Sequence, residues 1–162
     1  MNSLLLLLIL VAFSAASDNT SGISLSLLRA HRDGKLVSFT FRLTNSSSDT
    51  IYVERGGWSG DAIHSLKIEQ LMNRKWLLVG PVTDVPSSEL VEIKPSEAVE
   101  STVSLSDPYL SPSRKRSFDI NGLLRGSLRY FTSRDDWECF RKDPTVRKYT
   151  VIESNSVNLS SP

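Results

Sequence analysis

The stretch Leu36-Val37-Ser38-Phe39-Thr40-Phe41-Arg42-Leu43-Thr44 alternates apolar and polar side chains at every step. Val37, Phe39, Phe41 and Leu43 fall on one side of an extended chain, and Ser38, Thr40, Arg42 and Thr44 on the other. A helix would scatter the same four apolar groups around its circumference, so period two decides for a strand with one buried face. Upstream, Ile23, Leu25 and Leu27 alternate with Ser24 and Ser26 in the same way. Between the two runs, Asp33-Gly34 supplies the two-residue chemistry of a tight hairpin turn. The two strands are expected to pair, unless the first is an edge strand that crosses to the opposite sheet.

Short strand candidates continue downstream. After the turn Asn45-Ser46-Ser47-Ser48-Asp49 come 51–54, 65–70 and, beyond a turn at Asn73, 75–79. Further candidates are 90–93, 99–105, 117–120, 126–131, 148–153 and 156–159. Short strands punctuated by Gly, Pro, Asn and Ser point to a sandwich or barrel, and no β-α-β succession suggests a parallel sheet. One helix interrupts the pattern late in the chain. Ser133 followed three residues later by Asp136 makes a capping-box-like start, and Asp135 suits the positive end of the helix dipole. Trp137 and Phe140 share a short apolar face, and Asp143-Pro144 ends it. The expectation is one to two turns packed over one end of the sandwich.

The first residues address the compartment. Leu4 to Phe13 is unbroken apolar sequence ending in Ser14-Ala15-Ala16-Ser17. This has the form of a signal peptide over 1–17, too short for the roughly 20 residues of a comfortable membrane span. Residues 18–162 are then one secreted or periplasmic domain. A net charge of +1 lacks the strongly basic face of a nucleic-acid binder. Cys139 is the one cysteine, so no intrachain disulfide forms. Its place between Trp137 and Phe140 reads as a buried free thiol, with an intermolecular cross-link as the alternative.

Several short stretches, in this order, carry a resemblance. Leu43-Thr44-Asn45 resembles the strand end of secreted immunoglobulin-like sandwich domains. Ile93-Lys94-Pro95-Ser96-Glu97 resembles their L-x-P-G-E turn, with Ser96 where glycine is usual. Asp107-Pro108-Tyr109-Leu110 looks like their Y-D-L stretch, Gly126 to Tyr130 is similar to one of their strand starts, and Ser154-Asn155-Ser156-Val157 resembles their terminal strand. The resemblance implies an all-β, immunoglobulin-like antiparallel β-sandwich with one short helix. Related sandwiches accompany secreted proteases or stand alone as exported proteins, so the resemblance transfers no active site.

The chemistry-bearing residues are sparse. His31 and His64 belong to no cluster with metal-ligand spacing, and no cofactor or metal is expected. A Gly-x-Ser-x-Gly elbow and phosphate-cradling glycine loops are absent. Glu54-Arg55-Gly56-Gly57-Trp58-Ser59-Gly60-Asp61 is the most distinctive segment: Trp58 on a glycine-rich loop either anchors a ligand or folds back over the sandwich end. Arg55, Trp58 and Tyr109 are the candidate binding residues. Arg114-Lys115-Arg116 reads as a solvated loop, and Asn19, Asn45 and Asn158 each open an N-x-Ser glycan-acceptor pattern. The function expected is a non-catalytic interaction module that binds another exported protein through loops at one end of the sandwich. The rivals are an inhibitor or propeptide-like partner of a secreted protease, and a carbohydrate-binding module presenting Trp58, Tyr109 or Trp137.

Overall fold

The computed structural model describes residues 22–55, 65–80, 86–106, 109–111 and 116–159, with the backbone course alone for 109–111 and 116–118. The chain is an all-β sandwich with one short helix. Strands β1 (Ile23–Asp33), β2 (Leu36–Asn45) and β7 (Ala98–Ser106) form one antiparallel sheet in the order β1-β2-β7. The facing sheet contains β4 (Lys67–Met72), β5 (Lys75–Gly80), β10 (Gly122–Tyr130), β11 (Thr150–Glu153) and β12 (Val157–Leu159). Its order is β11-β10-β4-β5, with β12 also paired to β10. Two ribbons complete the molecule: β3 (Ile51–Arg55) with β6 (Glu89–Ile93), and β8 (Tyr109–Ser111) with β9 (Arg116–Phe118).

The opening stretch behaves as its alternation dictates. Val37, Phe39, Phe41 and Leu43 are all buried, and Ile23, Leu25 and Leu27 join them from β1. On the other face, Ser38 and Thr40 meet Ser104 and Thr102 of β7, and Arg42 pairs with Glu100. The two strands pair as a hairpin whose loop is Gly34-Lys35, between the partners Asp33 and Leu36. A register shift between Leu27 and Arg29 pushes Leu28 out to solvent. At that point the Asn155 side chain takes over as partner, accepting from Leu27 N at 2.8 Å and donating to Leu27 O at 3.3 Å.

β11 and β12 lie one after the other along the same side of β10, and the break between them falls at Gly126. There Ser154 N donates to Gly126 O and Gly126 N donates to Ser154 Oγ, both at 2.8 Å. Gly126 also lies directly against the facing sheet. A Cβ added there would stand 2.7 Å from Cζ of Phe41 and nearer still to its Cε1. No side chain fits without moving that ring, which accounts for glycine in the middle of a long strand.

Three expectations change. The helix α1 runs Arg134–Lys142, nine residues rather than one to two turns. Cys139 is exposed, not buried. Each helical residue turns about 100°, so Trp137 and Phe140 define an inward stripe and Cys139 falls off it. Asn45 is fully buried, so the folded domain has no room for a glycan there. Its Nδ2 donates to Asp49 O at 2.8 Å and Ile93 O at 2.9 Å, while its Oδ1 accepts from Ser47 N at 3.0 Å and Ser47 Oγ at 2.6 Å. Asn158 is exposed on β12, and Asn19 lies outside the described residues.

The turn that resembles L-x-P-G-E closes with Glu97 N donating to Lys94 O at 3.1 Å, and Ser96 stands at φ 67°. Pro95 supplies the fixed φ of the first central position, and the second requires the left-handed conformation that glycine adopts freely. The strand pair Tyr109–Ser111 with Arg116–Phe118 adds β8 at a place where the sequence pattern shows no strand. Arg116 therefore opens a strand, while Arg114 and Lys115 lie outside the described residues.

Candidate functional site

The β3–β6 ribbon is covered on both sides, and this builds the most elaborate site in the molecule. Ile51, Val53 and Ile93 turn into the main core. Tyr52, Glu54, Leu90 and Glu92 alternate to the opposite face, where α1 lies. The ribbon is tied to the end of β10 by a reciprocal bridge in which Tyr52 and Phe131 exchange two 2.9 Å backbone bonds. Trp137 and Phe140 descend from α1 onto Phe131 and the ribbon. Ser133 caps the helix by accepting from Asp136 N at 3.1 Å, and Arg134 reaches Glu92 at 3.1 Å.

Within this packing Glu54 is 0 % exposed, yet both of its oxygens are occupied. Oε1 accepts from Ser87 N at 3.0 Å, and Oε2 from Arg129 Nε at 3.1 Å and Nη2 at 2.5 Å. The Arg129 side chain is itself only 11 % exposed. Its guanidinium lies 4.2 Å from the centroid of the Phe140 ring and 5.3 Å from that of Tyr149. A buried charge persists when it is paired and its remaining polar atoms are bonded, and here the cation also gains from the two aromatic faces.

The same pair anchors the connection that carries Trp58. On one side of it, Glu54 grips the Arg129 guanidinium and Ser87 Oγ donates to Arg55 O. On the other, Ser65 Oγ donates to Arg129 O at 2.9 Å. The described residues on either side of 56–64 thus meet one residue of β10. A second cation sits on the outer face of the larger sheet: Arg125 stacks 4.3 Å over Trp76, bonds Glu69 at 2.9 Å and pairs with Glu153.

Of the candidate binding residues, Arg55 is exposed at the end of β3, on the side of the molecule where β10 runs into α1. Trp58 and His64 lie outside the described residues. Tyr109 pairs with Phe118 ahead of β10's first residue, so the fold does not bring it to Arg55. His31 is exposed near the β1–β2 hairpin, at that same far end, away from Cys139 on α1. Trp137 is 7 % exposed and its indole N–H is buried without an acceptor among the described residues, so it offers no open ring to a sugar. Among the described residues no group of three or more His, Cys, Asp or Glu is arranged for a metal ion. Glu54 and Arg129 were missed by sequence reasoning. The one signal was Glu54 following Tyr52 within a strand whose other face is apolar.

No family model and no curated protein matches the chain. Among solved structures it is similar to the β-glucosidase from Listeria innocua in complex with glucose, at 13% identity and a TM-score of 0.34, over 88% of this chain and 16% of that one. It is similar as well to the β-glucosidase from Kluyveromyces marxianus, at 12% identity and a TM-score of 0.34, over 85% of this chain and 14% of that one. The chain therefore spans less than a fifth of those enzymes' length, and likeness at this level carries over neither fold nor activity.

Proposed function

We propose that the chain is an exported, non-catalytic interaction module that engages another protein through the loops gathered at the α1 end of an immunoglobulin-like sandwich. The observation that supports this reading is that Glu54 and Ser65, on either side of residues 56–64, both bond Arg129. Recognition loops work when a rigid scaffold fixes their ends, because less motion then has to be frozen on binding. A buried ion pair whose cation lies over two aromatic rings is such a scaffold, and Trp58 in the middle of the connection is a residue type that dominates binding energy at interfaces.

The test is affinity capture from the native exported fraction with the tagged chain beside a Trp58→Ala variant. The expected result is one partner retained by the parent chain and lost by a variant with unchanged circular dichroism. Equal retention by both chains, or no protein retained by either, would remove the reading.

A further inference from the structure

β1 is the outer strand of its sheet. Among the described residues it pairs with β2 alone, so its other side runs along an edge of the sandwich. An edge strand offers N–H and C=O groups to any extended chain that comes alongside, and sheet proteins blunt such edges with charge, proline, bulges or covering groups. The first part of β1 has neither charge nor proline. Ile23-Ser24-Leu25-Ser26-Leu27-Leu28 is six strand residues without Pro, Gly or an ionised side chain. Identical uncharged segments of this length pair with one another where an edge is open.

What stands at this edge is a single side chain. The Asn155 amide accepts from Leu27 N at 2.8 Å and donates to Leu27 O at 3.3 Å, the two bonds that a neighbouring strand would make to that residue. It arrives from the opposite sheet, 128 positions later in the chain. Ser154 fixes its approach. Ser154 exchanges two 2.8 Å bonds with Gly126 of β10, and its Oγ donates to Asn155 O at 2.7 Å. Directly after Leu27 the register of β1 on β2 shifts, and Leu28 leaves 47 % of its surface in water. Bulge and amide thus fall together at the end of the uncharged segment.

From this geometry we infer that Asn155 guards the edge: it holds the place of a strand at Leu27 and so keeps the Ile23–Leu28 segment of a second copy of the chain from adding there. A second copy is the partner excluded because it carries the same segment, whose alternation matches the edge residue for residue. A charged strand from another protein does not match, since these six residues present no ionised group to it.

The test is sedimentation velocity of the full chain over a concentration series, beside Asn155→Leu. The parent is expected to sediment as one copy throughout. The variant, at unchanged circular dichroism, is expected to rise at least about twofold in mean mass as concentration grows. Leu28→Lys added to that variant puts a charge on the opened edge at an already exposed position, and is expected to return it to the mass of one chain. Asn155→Ser, too short to reach both atoms of Leu27 but still polar, is measured in the same way, so that a poorly folded Asn155→Leu leaves the question decided. Single-copy behaviour of a folded Asn155 variant, association that Leu28→Lys leaves unchanged, or a parent chain that associates as strongly as the variants overturns the inference.

Discussion

Glu54 carries its charge where no water reaches it, and it does so only because Arg129 and the Ser87 N–H meet its two oxygens. The Coulombic gain of such a pair roughly offsets the desolvation of its members, whereas removal of one member leaves the other stranded. Arg129→Met is therefore expected to cost about 3–5 kcal/mol, read as a lower urea midpoint at unchanged slope. Glu54→Leu combined with Arg129→Met is expected to recover much of that loss, since no charge is then left buried. A double variant as unstable as the sum of the single ones would show that shape, not charge pairing, governs the site.

At the scale of the element, α1 is closed at its start by a side chain and at its end by the backbone. Ser133 caps the start, and Asp143 closes the end as its N–H donates to Cys139 O at 3.0 Å. The Asp143 carboxylate accepts from Thr145 Oγ1 at 2.7 Å and Thr145 N at 3.0 Å. Those two bonds, the side-chain one first, hold its carboxyl below the ordinary carboxylate range. A lowered folded value means that the group stabilises the turn above its unfolded value, and that this contribution disappears as pH falls through the folded one. The protection factors of the Thr145 and Val146 amides are expected to fall on acidification in the parent chain. In Asp143→Asn, whose amide oxygen accepts the same bonds without titrating, those protection factors are expected to stay flat; an equal acid response in both chains would place the titrating group elsewhere.

Over the whole molecule, the two sheets touch where Phe41 lies on Gly126, and the ends of β11 and β12 are fastened to that same glycine through Ser154. Gly126→Ala is expected to destabilise by about 1–3 kcal/mol, because the ring has to leave its place in a filled core. Phe41→Leu in the same chain is expected to return part of the loss in thermal or urea unfolding by making room for the new methyl group. If Gly126→Ala alone leaves the midpoint unchanged, the close approach of the sheets is not what keeps glycine there. The Asn155 amide, bonded to both polar atoms of Leu27, fastens the sandwich at a second point.

The sequence by itself determined most of the strands, the hairpin joining the first two, and a helix start at Ser133. Alternation, two-residue turns and caps are local properties, settled by neighbours a few residues apart. It also marked Ser96 as a residue doing glycine's work. Only the tertiary structure decided which polar groups are buried and which residues share a site. Glu54 and Arg129 are 75 positions apart, and nothing local announces that they meet. Asn45 looks like a solvent-facing turn residue until Ile93 O, 48 positions away, claims its amide. Cys139 looks like core until the helix takes its place on the ribbon and turns that side chain outward. Arg55 and Tyr109 fall on different strands for the same reason: strand order, not sequence pattern, places residues together.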